Sequence, residues 1–366
     1  MVSKAAPGAA GLDGIVAAET RLSEVDGERG RLVLAGHDVE RLAGAARFED
    51  VCGLLWDGAL PDAAERERLR ASVASGRLLA FEELGRIGDA LTAADATAAL
   101  RAAMGHLGLG EAEPAPASLA GAAAVFAAAW SRAREGKPPV APDPALGQAA
   151  DLLRMIRGNA PSDEAAQALD TYLVTVSDHG MNASTFAARI VASTGSDRVS
   201  AIVAAIGALK GPLHGGAPGP VLDMLDAIGA PERAVEWLDA ELRAGRRIMG
   251  MGHRIYRVRD PRAAVLEAAA LRLERSGVRT GRLELARAVE GAAASALAAR
   301  HPERSLCANV EFYTAVLLDA VGIPRTLFTP TFAVGRIVGW CAHVAEQRAT
   351  GRLIRPASVY IGPAPS

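Results

Sequence analysis

Three histidines stand where the helical pattern of this sequence is interrupted. His179 lies in SDHGMNAST, His214 lies between a Gly-Pro pair and two glycines in GPLHGGA, and His253 follows two glycines in GMGHRIYRVRDPR. Glycine costs about 1 kcal/mol in a helix interior and proline about 3 kcal/mol, so we predict breaks between helices at these stretches. A histidine on such a break has open backbone around it, which leaves room for a ligand. Taken singly, each histidine could equally be a capping or solvent-facing side chain.

A carboxylate and several arginines complete the set of candidate groups. Glu311 heads an apolar helical stretch, NVEFYTAVLLDAVGIP, and Arg254, Arg257 and Arg259 follow His253 closely. A carboxylate base with histidine donors suits proton removal, and arginine forks bind carboxylates. Each feature also has a plainer interpretation: Glu311 could favour the positive end of a helix dipole, and the arginines could form a solvated face.

The elements that must position these residues are almost all helical. In FTPTFAVGRIVGWCAHVAEQRATG (328–351) the apolar residues recur at steps of three and four, and Asp260-Pro261 is typical of a helix start. One segment favours strands instead: RLSEVDGERGRLVLAG (21–36) has two short runs around Asp26-Gly27 and Gly30, which predicts a β-hairpin. Two Pro/Ala-rich stretches, 112–117 and 137–145, are predicted to be surface loops. The fold class is therefore all-α with a short N-terminal hairpin.

Composition excludes several classes of protein. The 366 residues are 50% hydrophobic and carry a formal net charge of -2, which predicts a soluble globular protein without a bias toward nucleic acid or membranes. The longest apolar run, residues 118–130, is too short to span a bilayer, and the N-terminus lacks a signal-peptide core, so we expect a cytoplasmic location. Cys52, Cys307 and Cys341 lie far apart and are predicted to be buried thiols. The motifs of phosphate-binding loops, dinucleotide sites and zincins are absent from the sequence.

Several long segments, in their order along the chain, resemble the citrate synthase family. They are GLDGIVAAET, VDGERGRLVLAGHDV, FEDVCGLLWDGALP, DHGMNASTFAAR, GALKGPLHGGA, GMGHRIYRVRDPR, NVEFY, LFTPTFAVGRIVGWCAH and RLIRPASVYIGP. The resemblance implies an all-α citrate synthase fold and an obligate homodimer. A large helical domain would comprise residues 1–216 and 326–366, with a small helical domain of residues 217–325 inserted. Acetyl-CoA or another acyl-CoA would be a co-substrate, and no permanently bound cofactor is expected.

The resemblance also implies roles for the catalytic residues. Glu311 would remove a proton from the acyl-CoA, His214 would donate to the thioester oxygen, and His253 would donate to the ketone of oxaloacetate. That proton is too weakly acidic for a free carboxylate to remove, so the base needs a placed donor and a site closed to water. Ser184 would orient His214.

Substrate binding is assigned by the same resemblance. The carboxylates of oxaloacetate call for bidentate guanidinium groups, and the residues implied are His179, Arg262, Arg336 and Arg355. Arg355 would reach into the site of the partner subunit, so a monomer would be inactive. The adenine of coenzyme A would lie on the backbone of Gly250, Met251 and Gly252, and a phosphate would bind Arg257.

Two positions depart from the family pattern and keep other functions open. The family base is usually aspartate, in NVDFY, and the extra methylene of Glu311 shifts the carboxylate by roughly 1 Å or more, an error that can cost about 10²-fold in rate. The usual Asn-Glu after HGGA is replaced by Pro218-Gly219. One alternative is a 2-methylcitrate synthase that uses propionyl-CoA, and another is a catalytically weak binding or regulatory paralogue. The third is a metal-dependent hydrolase, although histidine spacings of 35 and 39 residues match no zinc-ligand pattern.

Overall fold

The computed structural model is built almost entirely of helices, as predicted. It describes residues 12, 15–215, 218–278, 282–302, 304 and 306–363. The strands are β1 (Ser23–Asp26), β2 (Arg31–Leu34) and β3 (His37–Asp38). The helices are α1 (Val39–Leu42), α2 (Phe48–Asp57), α3 (Ala63–Glu83), α4 (Ala96–His106), α5 (Pro116–Arg134), α6 (Gln148–Arg157), α7 (Asp163–Thr175), α8 (Ala183–Ser193), α9 (Arg198–Leu209), α10 (Pro218–Ile228), α11 (Ala234–Arg243), α12 (Pro261–Arg275), α13 (Arg282–Arg300), α14 (Val310–Ala320) and α15 (Phe328–Thr350). Short 3₁₀ turns occupy Ala90–Thr92, Leu107–Leu109, Pro231–Arg233 and Arg325–Leu327.

The predicted N-terminal hairpin is confirmed and is part of a slightly larger sheet. Strands β1 and β2 pair antiparallel from Ser23↔Leu34 to Asp26↔Arg31, and β3, which was not predicted, adds two residues to the edge of β2. The hairpin turn packs against the loop that follows His253. Gly27 accepts a hydrogen bond from the backbone N–H of Arg257 at 2.9 Å, and a Cβ on Gly27 would lie 2.4 Å from the carbonyl oxygen of Ile255. The hairpin therefore supports a loop that carries candidate site residues.

Two long helices form the centre of the core. Helix α5 is buried from Leu119 to Ser131, and α15 is buried along most of its length, including Trp340. Helix α5 begins at Pro116, so the predicted surface loop 112–117 is wrong for its last two residues. Proline at 116 needs no hydrogen-bond partner for a backbone N–H and favours the first helical turn.

Helices α3 and α5 approach each other closely through glycines. A Cβ on Gly121 would lie 2.5 Å from the backbone of Arg77 and Val73, and a Cβ on Gly76 would lie 2.6 Å from the Cα of Ser118. Such distances leave no room for a methyl group. The crossing of the two helices therefore depends on hydrogen atoms at both positions.

The candidate site residues lie on the connections between helices. His179 lies between α7 and α8, His214 between α9 and α10, and His253 between α11 and α12, so each predicted helix break is confirmed. Asp260 caps α12 and Asn309 caps α14, which places Glu311 in the first turn of that helix. Residues 351–363 follow α15 as an irregular, exposed segment.

Some sequence predictions stand differently against the structure. Cys52 and Cys341 are buried as predicted, whereas Cys307 is only half-buried. The predicted boundary between residues 216 and 217 lies outside the described residues, and the division into two domains stays a prediction. Helix α12, from the predicted small domain, packs on α14 and also on α7 of the predicted large domain. Among the described residues, no helix combines the length and apolar character needed to cross a bilayer.

We expect Gly121→Ala to destabilise the protein by about 1–3 kcal/mol, because a methyl group in the α3–α5 crossing forces the helices apart. Gly291→Ala is the matched control, since Gly291 lies in α13 with no other atoms within 4 Å of its added Cβ. The control should stabilise by up to about 1 kcal/mol through helix propensity. Urea unfolding of both variants measures the difference, and equal midpoints would contradict the packing argument.

Candidate active site

His214 is held by a hydrogen-bonded group at the start of α8. Asn182 caps that helix, and its Oδ1 accepts hydrogen bonds from the backbone N–H and the hydroxyl of Ser184 at 3.1 and 2.8 Å. The hydroxyl oxygen of Ser184 accepts the indole N–H of Trp340 at 3.2 Å and lies 2.8 Å from Nε2 of His214. Ser184 thus contacts His214, the residue that the resemblance implies it orients. The contact uses Nε2 of the ring and does not involve Nδ1.

His253 has one ring nitrogen fixed by backbone. Its Nδ1 accepts the backbone N–H groups of Ile255 and Tyr256 at 3.0 and 3.1 Å. Because Nδ1 must supply a lone pair to these donors, the proton of the neutral ring lies on Nε2. The ring is therefore set up as a hydrogen-bond donor through Nε2.

His179 lies against His253 and Tyr256. The ring centroids of the two histidines are 5.7 Å apart, and Nε2 of His179 shares a hydrogen bond of 3.1 Å with the hydroxyl of Tyr256. The side chain of Tyr256 also packs on His253, with centroids 4.8 Å apart. Tyr256 therefore joins two predicted site histidines that are far apart in sequence.

Both nearby arginines are buried. Arg262 is paired with Asp260 through two bonds, Nε to Oδ1 at 3.0 Å and Nη2 to Oδ2 at 2.8 Å. Arg336 donates from Nε to the carbonyl of Val176 at 2.6 Å, and its guanidinium lies 4.6 Å from the ring of Phe332. Its Nη2 is buried and has no hydrogen-bond partner within the described part of the chain. An unsatisfied buried guanidinium nitrogen is costly, which points to an anionic ligand as its partner.

Burial and the two arginines hold the histidines neutral. Burial, followed by the positive charge of Arg336, lowers the pKa of His214 to about 4. Burial and Arg262 lower the pKa of His253 to about 4 against the opposing effect of Asp260. The pKa of His179 is also well below its usual value, again through burial and then the two arginines. At neutral pH these rings are uncharged.

Glu311 responds to the same surroundings in the opposite direction. Burial is the largest effect and raises its pKa to about 7, with Asp260 adding to the rise and Arg262 and Arg336 opposing it. These four groups are therefore close enough to act on one another. A carboxyl group with a pKa near 7 is a stronger base than an ordinary glutamate and is still ionised in part at neutral pH.

The backbone of Gly250, Met251 and Gly252 pairs with the segment that leads to Glu311. Gly252 donates to the carbonyl of Cys307 at 2.7 Å, and the N–H of Asn309 donates to Gly250 at 2.9 Å. Gly250 and Gly252 have φ of 74° and 82°, where side chains are rarely tolerated. This run therefore lies beside the start of α14.

Two predicted binding residues lie at the surface. Arg257, predicted to contact a phosphate, is exposed on the loop that the hairpin supports. Arg355 lies on the exposed segment 351–363, and no described contact links it to the other site residues of its own chain. The other predicted residues are thus gathered around the helix connections, and Arg355 is apart from them.

A metal-dependent hydrolase would need a group of metal-ligating side chains. Among the described residues, no group of three or more His, Cys, Asp or Glu side chains is arranged to hold a metal ion. The alternative of a metal-dependent hydrolase therefore has no ligand set in that part of the chain.

Sequence reasoning missed residues that support the site. Tyr256, Asn182 and Trp340 were not singled out, and Asp260 was expected only as a helix cap. Asp260 had a usable signal, because a carboxylate two residues before an arginine at a helix start can bond to both the backbone and the guanidinium. The contact of Trp340 with Ser184 joins distant segments and has no local signal.

Comparison with known proteins places this geometry in a family. A family model described as "Citrate synthase, C-terminal domain" matches residues 11–357. The chain is 38% identical to the citrate synthase of Haloferax volcanii, over 96% of this chain and 95% of that protein. It is also 38% identical to a 2-methylcitrate synthase of Mycobacterium tuberculosis, over 96% and 90%.

Solved structures agree with these relatives. The ternary complex of carboxymethyl coenzyme A and oxaloacetate with citrate synthase from Thermoplasma acidophilum matches with a TM-score of 0.89 and 29% identity, covering 98% of this chain and 97% of that one. Citrate synthase from Thermotoga maritima matches with a TM-score of 0.84 and 33% identity, with coverage of 98% and 97%.

Proposed function

The chain belongs to the citrate synthase family, and on that premise we propose that it condenses acetyl-CoA with oxaloacetate and water to give citrate and CoA. The observation that carries the proposal is the grouping of Glu311, whose pKa is raised to about 7, with two buried guanidinium groups and neutral histidines. Glu311 can act as the base, the neutral histidines can donate hydrogen bonds, and the two guanidinium groups can bind a dicarboxylate. A cytoplasmic location stays a prediction from the sequence.

Oxaloacetate would bind at guanidinium nitrogens that lie outside the hydrogen bonds described above. Nη2 of Arg336 has no partner in the described chain, and Arg262 keeps Nη1 outside its two bonds to Asp260. Carboxylates of the substrate would supply the missing acceptors. The Nε2–H of His253 would then donate to the ketone oxygen, with His179 beside it.

Proton removal would follow at the thioester. Glu311 would take a proton from the methyl carbon of acetyl-CoA, while His214 donates a hydrogen bond to the thioester oxygen that gains negative charge. A neutral imidazole serves here because its pKa of about 4 keeps it uncharged over the working pH range. The contact of Nε2 with Ser184 holds the ring. For Nδ1 to carry the donated proton, the single hydroxyl proton of Ser184 must turn from Oδ1 of Asn182 to Nε2 of His214. Oδ1 of Asn182 then keeps the backbone N–H groups of Ser184 and Thr185.

Carbon–carbon bond formation and hydrolysis would complete the reaction. The enolate carbon attacks the ketone carbon of oxaloacetate, whose carbonyl electrons move to the oxygen beside His253. That oxygen takes the Nε2 proton of His253, which regains a proton from water, and Glu311 returns its proton to solvent. Water then cleaves the thioester, which releases citrate and CoA. Gly250, Met251 and Gly252 are proposed to receive the adenine and Arg257 a phosphate, a proposal supported by their place beside α14 and on the exposed loop.

We further propose a homodimer in which Arg355 completes the site of the partner. The segment that carries it is anchored at its start, where Ile354 donates to the hydroxyl of Ser193 at 3.1 Å. Beyond Arg355 the segment presents apolar side chains to solvent, with Tyr360 75% and Ile361 94% exposed. An extended, anchored segment with exposed apolar groups is suited to packing on a second copy.

The proposed reaction predicts that the purified protein releases a free thiol when acetyl-CoA and oxaloacetate are both present. Propionyl-CoA is the parallel substrate, and a higher kcat/KM with it would favour 2-methylcitrate synthase, in line with the relative of that name. A protein that binds oxaloacetate by calorimetry and releases no thiol with either substrate would be the weak binding paralogue. Activity that disappears with a chelator would contradict the proposed chemistry.

Variants of Glu311 test the base. Glu311→Gln should lower kcat by about 10³-fold and leave oxaloacetate binding intact, because the amide keeps the shape and loses the base. Glu311→Asp should lower kcat by about 10²-fold if the site has adapted to the longer side chain. We expect adaptation, since Pro218-Gly219, which also departs from the family pattern, begins α10, and α10 packs on the helix α14 that carries Glu311.

The pH profile of kcat/KM tests the same group. A base with a pKa raised to about 7 is protonated at lower pH, so kcat/KM should fall as the pH drops through 7. The two histidines with pKa values of about 4 should not contribute above pH 5. An acid limb near pH 4.5, or substantial activity in Glu311→Gln, would mean that another group is the base.

Subunit mixing tests the role of Arg355. Arg355→Leu and His214→Ala should each be inactive alone, and their mixture should recover up to about one quarter of the wild-type activity, because half of the dimers contain one complete site. Mixing His214→Ala with Glu311→Gln is the control. Because His214 and Glu311 of each site come from the same chain, every site in this mixture lacks one of the two residues, and no activity should be recovered. Thiol release after verified subunit exchange is the measurement. Failure to recover activity would place Arg355 in its own chain's site.

A further inference from the structure

A buried polar network lies behind His179 and is not used by the chemistry described so far. Its centre is His343 on α15, a side chain with 0% exposure. Nε2 of His343 lies 3.2 Å from a carboxylate oxygen of Asp178, and Nδ1 lies 2.8 Å from Nη1 of Arg189. A histidine is thus held between a carboxylate and a guanidinium away from solvent.

The partners of His343 determine its tautomer. A guanidinium group only donates, so Nδ1 must accept the bond from Arg189. The proton of the neutral ring is then on Nε2, where it is donated to Asp178. In this network Arg189 donates to His343, and His343 donates to Asp178. Each hydrogen bond therefore fixes the orientation of the next side chain.

Asp178 connects this network to the loop that carries His179. Its carboxylate accepts the backbone N–H of Gly180 at 3.2 Å and the hydroxyl of Ser23 from the hairpin. It therefore brackets His179 from the residue before and the residue after. Burial alone would raise the pKa of Asp178, but His343, Arg336 and Ser23 hold it at about 2, so the carboxylate stays charged.

The other end of the network reaches the C-terminal segment. Arg189 donates to Oε1 of Gln347 at 3.0 Å, and Nε2 of Gln347 donates to the carbonyl of Arg352 at 3.0 Å. Arg189 is also paired with Glu346 at 2.7 Å. The charges of the network are therefore compensated from both sides, and its members cannot rotate without losing a bond.

We propose that His343 is a positioning residue, and that the relay Arg189–His343–Asp178 holds His179 in the orientation that binds oxaloacetate. The proposal rests on the proposed function, since oxaloacetate is the ligand assigned to His179. A purely structural role would be served as well by an apolar side chain of similar shape, because buried ion pairs add little stability over well-packed apolar groups. The network differs from a purely structural ion pair because it ends at Asp178, which fixes the backbone on both sides of His179.

The test is a pair of substitutions at His343. His343→Phe keeps a ring and removes both hydrogen bonds, and it should raise the KM for oxaloacetate by about tenfold or more, with the KM for acetyl-CoA changed less than twofold. His343→Gln offers an acceptor and a donor at the end of its side chain and should restore most of the affinity. His106→Phe is the control, because His106 pairs with Glu83 in a half-buried position and has no described contact with Asp178, His179 or Arg189.

A milder variant keeps the test decisive where His343→Phe does not fold. Ser23→Ala removes one bond to Asp178 and one of the two acceptors of the Gly180 N–H, the one at 2.9 Å, and should raise the same KM by about two- to fivefold. An unchanged oxaloacetate KM in folded His343→Phe or in Ser23→Ala overturns the proposal. Equal changes in both KM values, or no recovery with glutamine, also overturn it. A wild-type protein that does not use oxaloacetate refutes the proposed function instead, and is recognised before any variant is compared.

Discussion

The carboxylate of Asp260 is the interaction on which the catalytic region depends. It is 1% exposed and accepts four hydrogen bonds, three from the backbone and guanidinium of Arg262 and one from the backbone N–H of Val310. A buried charge is tolerated only when it is paired and fully hydrogen-bonded. Because Val310 directly precedes Glu311, one side chain anchors both the start of α12 and the start of α14. The guanidinium of Arg262 and the carboxylate of Glu311 therefore share a single anchor.

The electrostatics around this anchor favour an anionic ligand. Burial pushes the pKa of Arg336 down to about 10 and the pKa of Glu311 up to about 7, so both charged forms are disfavoured where they stand. A dianion beside Arg336 and Arg262 would supply acceptors and negative charge together. Ligand binding to the folded state alone also stabilises that state. The charges of the site are thus better matched with a dicarboxylate than without one.

Local signals allowed much of the fold and part of the site to be predicted from sequence. The cap at Asp260, the hairpin turn at Asp26-Gly27 and the break at His214 depend on a few neighbouring residues, and all three are confirmed. Strand β3 was missed because two residues give no periodic pattern. The contacts of Tyr256 with His179 were missed because they depend on how distant loops meet. Arg355 lies on an exposed segment without a described contact to the other site residues, so its role in the site of a partner stays a prediction.

The hairpin has a consequence for the order in which the protein assembles. Its residues are made early, yet Gly27 bonds to the loop of Arg257 and Ser23 bonds to Asp178, contacts that close very long stretches of chain. Contacts of such sequence separation form slowly, because the entropy of loop closure is lost before the contact is gained. During synthesis the hairpin therefore lacks its final neighbours until the segments that carry Asp178 and Arg257 have been made. The loops that carry His179 and His253 are therefore expected to reach their final arrangement late in folding, when the hairpin packs against them.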